Sequence, residues 1–111
     1  MVFNNILYIL CNNTLYTYDL STSQLSSPIT IDSTLNNITN GKIACNDEGN
    51  LVCAFINRYS TRFYYSSHSS NTIWTEAEYR QTPTNSQNDM DLSMNFNIAV
   101  ATFYGISTTI F

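Results

Sequence analysis

Hydrophobic residues along this chain fall in short runs. Some runs alternate apolar with polar residues and others are apolar throughout. β-Branched and aromatic residues dominate them, and clusters of Asn, Gly, Ser and Pro separate them, which is the pattern of strands and turns. It predicts strands at Ile6–Leu10, Thr14–Tyr18, Ile29–Ile31, Lys42–Cys45, Leu51–Ile56, Thr61–Tyr65, Trp74–Tyr79, Met90–Met94, Asn97–Thr102 and Ile106–Ile110. Turns are predicted at Asn12-Asn13, Asp47-Glu48-Gly49, Asn57 to Ser60, Asn95-Phe96 and Tyr104-Gly105. No segment sustains a 3.6-residue apolar period, so the expected class is all-β, with about ten short antiparallel strands.

Face patterns refine this picture. Ile6–Leu10, Leu51–Phe55 and Ile98–Ala101 are apolar at consecutive positions and are expected to be central strands covered on both sides. In Thr14–Tyr18, Leu15 and Thr17 oppose Tyr16 and Tyr18, as in an outer strand with one wet face. The three apolar runs recur: Asn5-Ile6-Leu7 lines up with Asn50-Leu51-Val52 and Asn97-Ile98-Ala99, at offsets of 45 and 47 residues. Each is followed by a polar turn and an aromatic or β-branched strand. Repeats of this length with about four strands each are the signature of β-propeller blades, here units 1–40, 41–87 and 88–111 of one 111-residue domain.

Within the second unit, Tyr64-Tyr65-Ser66-Ser67-His68-Ser69-Ser70-Asn71-Thr72-Ile73-Trp74-Thr75 resembles the Asp-box of sialidase-type propellers, Ser-x-Asp-x-Gly-x-Thr-Trp. Ser67 and Trp74 match; Ser69, Asn71 and Ile73 stand where that family has Asp, Gly and Thr. The resemblance implies a propeller scaffold. It carries over no catalytic residue, because Arg58, Arg62 and Arg80 match no arginine-triad motif of those enzymes. The chain holds about two and a half blades where a closed propeller needs at least four. Two copies would supply six; a self-contained β-sandwich of eight to ten strands fits the same pattern.

Composition narrows the function classes. Charged residues make up 11% of the chain, against about 25% in an ordinary domain. Fifteen Asn, thirteen Ser and fourteen Thr cover the surface instead, with Lys42 the sole lysine. A net charge of −4 with four basic residues argues against nucleic acid and against anionic membrane surfaces, both of which need Lys and Arg. The apolar stretch near the start, Ile6 to Cys11, is too short for a signal-peptide core, and the longest mostly apolar stretch, Ile98 to Ile106, is about half a membrane span. The lysine-poor amide surface points to an extracellular or virion-surface setting. Cys11, Cys45 and Cys53 are odd in number and lie in apolar strands. The predicted turn sets Cys45 opposite Leu51 and Cys53 opposite Ile43, a diagonal unsuited to a disulfide. Buried free thiols are expected.

No reactive constellation emerges. His68 is the single histidine and sits in a Ser/Asn-rich turn, the place of an exposed loop residue. Glu76 and Glu78 are expected on one strand face ~7 Å apart, which overlaps the spacing of an inverting glycosidase pair but more often marks a solvated edge. Asp89 and Asp91 repeat that spacing. Asn46-Asp47-Glu48-Gly49-Asn50 is oxygen-rich but reads as a hairpin turn with Gly49 at positive φ, lacking calcium-loop spacing. Aromatics are the richest material. Trp74 and Tyr79, with Arg80 nearby, are the candidate lining of a protein or glycan contact. The expectation is therefore a non-enzymatic structural or protein-interaction module that needs no cofactor or metal. It would engage itself or a protein partner through unsealed strand edges such as the Ile110-Phe111 end. A carbohydrate-binding module is the alternative, and a glycoside hydrolase-like fragment stands behind both.

Overall fold

The structure is a computed structural model that describes residues 1–35, 38–57, 60–66, 74–81, 90–96, 98–103 and 106–109. It is all-β. Among the described residues twelve strands form three antiparallel sheets in chain order. Sheet I contains β1 (Val2–Phe3), β2 (Ile6–Cys11), β3 (Thr14–Asp19), β4 (Gln24–Leu25) and β5 (Ile29–Thr30). Sheet II is a four-stranded meander of β6 (Ile38–Cys45), β7 (Leu51–Asn57), β8 (Ser60–Ser66) and β9 (Thr75–Gln81). Sheet III joins β10 (Met90–Asn95), β11 (Ile98–Phe103) and β12 (Ile106–Thr109). Among the described residues no helix is long and apolar enough to cross a membrane.

Asparagine shapes the tight turns. Asn4 and Asn5 have φ of 48° and 63° in the two-residue turn between β1 and β2, and Asn12 has φ 52° between β2 and β3. Asn tolerates the left-handed region because its short amide can bond locally. Gly49 takes φ 84° in the turn after β6, which sets Cys45 opposite Leu51 and Ile43 opposite Cys53, the register expected from sequence. In sheet I, β4 and β5 share the same neighbour, β3. Ser26 and Ser27 with Pro28 interrupt that outer strand, since proline offers no N–H to the ladder. Ser26 bridges the gap: its Oγ accepts from Thr17 N at 2.9 Å and its N–H donates to Thr17 O at 2.8 Å.

The sheets stack face to face with sheet II in the middle. On β7, Leu51, Cys53 and Phe55 join Tyr8, Leu15, Ile31, Leu35 and Tyr64 in a core shared with sheet I. The alternate residues Val52, Ala54 and Ile56 join Phe63, Met90, Leu92, Ala99, Ala101 and Phe103 in a core shared with sheet III. The strand's two-residue period is thus what lets one strand serve two cores. Phe55 and Tyr64 meet edge to face, centroids 5.8 Å apart. Burying each such ring is worth about 2–3 kcal/mol. Among the described residues the tight inter-sheet approaches run between β10 and β6, with lesser ones between β10 and β7 and between β2 and β6.

Of the three strands expected to be covered on both sides, only β7 is. In β2 Tyr8 alone is buried and Ile9 is 40% exposed, while β11 alternates between buried Ala99 and Ala101 and exposed Ile98 and Thr102. The reason is the stacking order: sheets I and III are outer layers, each with one face open. Strand bounds also differ. β1 and β4 were not expected, β6 begins at Ile38 and not at Lys42, and its first pairing contains a bulge. The strand end at Ile110-Phe111 lies outside the described residues.

Candidate interaction surface

The outer face of sheet I is assembled from four strands. Ile6, Tyr8 and Leu10 of β2 and Leu15 of β3 point into the core, so Leu7, Ile9, Cys11, Tyr16 and Tyr18 point outward. The register joins them in cross-strand rows: Val2, Leu7, Tyr18 and Leu25 in one, Ile9 and Tyr16 in the next, Cys11 and Thr14 in the last. Partners directly opposite share a face. Val2 is 55% and Leu25 61% exposed, and Cys11 is exposed as well. None of these residues is charged.

The outer face of sheet III differs. Ile98, 52% exposed, and half-buried Val100 occupy it beside Ser93, Asn95 and Thr102, with Asp91 toward one end. Asp91 accepts the Leu92 N–H at 3.0 Å through its own Oδ1. At the β10–β11 turn Phe96 is 77% exposed and holds φ 52°, a conformation that costs an L-residue about 1–2 kcal/mol. Its carbonyl accepts Asn46 Nδ2 at 2.7 Å.

The densest polar cluster joins sheet I's exit to sheet II. The Tyr64 hydroxyl donates to Asp32 Oδ2 at 2.7 Å, and Thr34 donates to Asp32 Oδ1 through its N–H at 2.9 Å and its hydroxyl at 2.6 Å. These bonds, the Thr34 hydroxyl's foremost, hold the Asp32 carboxyl below its usual range. Arg62 hydrogen-bonds the Tyr64 hydroxyl, which raises the guanidinium further, and Arg62 lies 3.7 Å from Glu76. Burial first, and the Asp32 bond second, push Tyr64 well above its usual value. A tyrosine held protonated in this way is a poor nucleophile. The cluster ties the 31–35 segment down onto β8.

Residues singled out from sequence are scattered. Trp74 is half-buried and packs on the core between sheets I and II, its indole Nε1 buried without a hydrogen-bond partner among the described residues. Tyr79 and Arg80 lie in β9, paired by backbone register with Arg62 and Thr61, and their side chains lie outside the described residues. His68, Asp89, Arg58 and the Ser67–Ile73 part of the Asp-box-like stretch also lie outside. The expected Trp74–Tyr79–Arg80 contact thus falls partly outside the described residues. By backbone register Glu76 pairs with Tyr64 and Glu78 with Phe63, consecutive residues of β8 with a bulge between them, and the Glu78 side chain lies outside the described residues.

The Asn46–Asn50 loop is a self-satisfied turn. Asn46, 4% exposed, accepts the Glu48 and Asn50 N–H groups on Oδ1, both at 3.0 Å. Among the described residues no group of three His, Cys, Asp or Glu side chains is placed to hold a metal. All three cysteines are free, but only Cys53 is buried; Cys45 is intermediate and Cys11 exposed, because Cys11 ends β2 on the open face. Burial raises the Cys53 thiol well above its usual value.

The chain matches no known family model, no curated protein and no solved structure. The outer face of sheet I was not singled out from sequence, since Ile6–Leu10 reads as covered on both sides. Its one visible signal was the alternation that placed Tyr16 and Tyr18 together on a wet face.

Proposed function

We propose that this protein is a non-enzymatic structural or interaction module that works through its open sheet faces, as a component of an extracellular or virion surface. The observation that carries the reading is the uncharged outer face of sheet I, where Val2, Ile9, Cys11 and Leu25 stand exposed beside Tyr16 and Tyr18. Water covers apolar surface at a cost of about 25 cal/mol per Å², so docking onto this face is favourable. The low charge of the chain leaves little electrostatic repulsion to oppose it. Two further observations support the non-enzymatic side. Tyr64 is engaged in a structural clamp with Asp32, and Arg62 lies against Glu76 beside it. A glycan-binding reading draws little support from Trp74, whose indole N–H is buried and not presented.

Cys11 reports on this face directly. A maleimide reagent is expected to label Cys11 fully in dilute protein, and progressively less as protein concentration rises. Labelling that is equal at all concentrations up to the millimolar range would remove the reading.

A further inference from the structure

We infer that the seam where the Asn46–Asn50 loop of sheet II meets the β10–β11 turn of sheet III is a docking pocket for an arginine side chain of a protein partner. Its lining comes from sheets II and III, so it stands independently of sheet I's outer face.

Three observations lead there. First, Asn46, Asp47, Glu48 and Phe96 line a cavity of about 190 Å³. Pockets for small-molecule ligands usually span roughly 300–1,000 Å³. This cavity suits one side chain and is too small for a cofactor or an oligosaccharide. Second, its lining is aromatic and acidic together. Phe96 is 77% exposed, and Asp47 and Glu48 are exposed beside it. No basic side chain lines the cavity among the described residues. A cation is drawn to the face of an aromatic ring and to carboxylates at once. Third, Phe96 is locally unfavourable on two counts. It holds φ 52°, where asparagine or glycine is the favoured residue, and its ring stands in water. Unfavourable backbone positions of this kind gather at functional sites.

The pocket is also held in shape. Asn46 is buried, and its Nδ2 donates to the Phe96 carbonyl at 2.7 Å. Its Oδ1 accepts the Glu48 and Asn50 N–H groups, both at 3.0 Å. One buried amide thus fixes the ring-bearing turn of one sheet against the acid-bearing loop of the next. The chemistry selects arginine as the cation. A guanidinium is planar, so it can lie on a ring through its face while its N–H edge pairs with carboxylates; a lysine ammonium has no such flat face. A second copy of this chain is a poor source of that arginine. Four basic residues stand against eight acidic ones, and copies of like charge repel. The occupant therefore belongs to a different protein.

The test is an NMR titration of the full chain with acetyl-arginine amide, using acetyl-citrulline amide as the uncharged probe of nearly the same shape. The arginine probe is expected to shift the signals of Asp47, Glu48 and Phe96 saturably, in the millimolar range, and the citrulline probe to leave them in place. Phe96→Asn puts a favoured residue at the positive φ. It is expected to raise the melting temperature while weakening arginine binding by about two- to fivefold. Asp47→Asn combined with Glu48→Gln is expected to abolish saturation. Asp91→Asn, at the other end of β10, is expected to change nothing. The inference is overturned if the arginine probe does not saturate or if citrulline binds equally well. It is overturned too if Phe96→Asn binds as the wild type does or melts lower, since the ring then serves no ligand or serves the fold. Weakening by Asp91→Asn equal to that of the double exchange would reveal general attraction to an acidic chain and also overturn it. Shifts of the same signals with protein concentration alone would assign the pocket to a second copy, again against the inference. Maleimide labelling of Cys11 reads a different face, so the interaction role proposed for sheet I stands or falls separately.

Discussion

At the scale of single residues, the side chain that does most to hold sheet I's exit onto sheet II is Tyr64. It is 2% exposed, stacks edge to face with Phe55 and donates to Asp32. A hydrogen bond to a charged group is worth about 1.5–3 kcal/mol, and Asp32 keeps partial contact with water, which favours the lower part of that range. Tyr64→Phe keeps the ring and removes the bond, so it is expected to destabilise the fold by roughly 1–2 kcal/mol in urea unfolding at pH 7. The pH dependence follows from the sign of the Asp32 shift. Its carboxyl is depressed in the folded state, by Thr34 first and Tyr64 second. Its contribution is therefore fully present above the unfolded value of ~3.9 and is lost as pH falls through the folded value. The Phe variant raises the folded value back toward the unfolded one. The stability difference between pH 6 and pH 3 should accordingly be smaller in Tyr64→Phe than in the wild type, and an unchanged difference would place the acid sensitivity elsewhere. Asp32 was not visible in the sequence as anything but part of a polar loop, because its partners lie on another sheet.

At the scale of elements, Gly41 decides how closely β6 can approach its neighbours. A Cβ built there would lie 3.2 Å from Phe55 Cδ1 and 3.3 Å from Leu10 Cδ2. Phe55 is fully buried and braced by Tyr64, so its ring has no room to withdraw. Gly41→Ala is therefore expected to lower stability by about 1 kcal/mol through overpacking, despite the usual gain from replacing a strand glycine. Thermal denaturation monitored by circular dichroism would check it, and a raised melting temperature would show that the sheets I–II contact yields more than its packing suggests. The same residue explains why the start of β6 was illegible: Asn40-Gly41 reads as a turn signal, yet here the glycine serves close sheet packing within a strand. The hairpins were legible because their determinants are local. Asn12 and Gly49 fall where the sequence predicts turns, and Cys45 and Cys53 take their predicted partners. β1 and β4 were not, since two-residue strands carry no periodicity.

At the scale of the whole molecule, what a strand sequence leaves open is which neighbour covers each face. β2 and β7 look alike as apolar runs, and both begin after an asparagine as the second strand of their sheet. β7 is buried at every position from Leu51 to Ile56, while β2 exposes Ile9 and Cys11, and only the order of stacking separates them. The open face that sequence concealed is thus a property of the stack and not of any strand. It has a dynamic consequence. Amides of β7 are flanked by β6 and β8 and shielded above and below by sheets I and III, so they can exchange only when the whole structure opens. Amides of β2 have β3 along their full length but β1 against only Ile6 and Leu7, with water on one face. In dilute protein, hydrogen exchange followed by mass spectrometry or NMR should find β7 the slowest strand, at the global unfolding limit, and the Ile9–Cys11 end of β2 faster by an order of magnitude or more, since ~1.4 kcal/mol of local opening already gives tenfold. Raising the protein concentration should slow the β2 amides and leave β7 unchanged, because docking on sheet I covers the first and adds nothing to the second. Equal protection of the two strands in dilute protein would mean that sheet I's outer face is not open in solution.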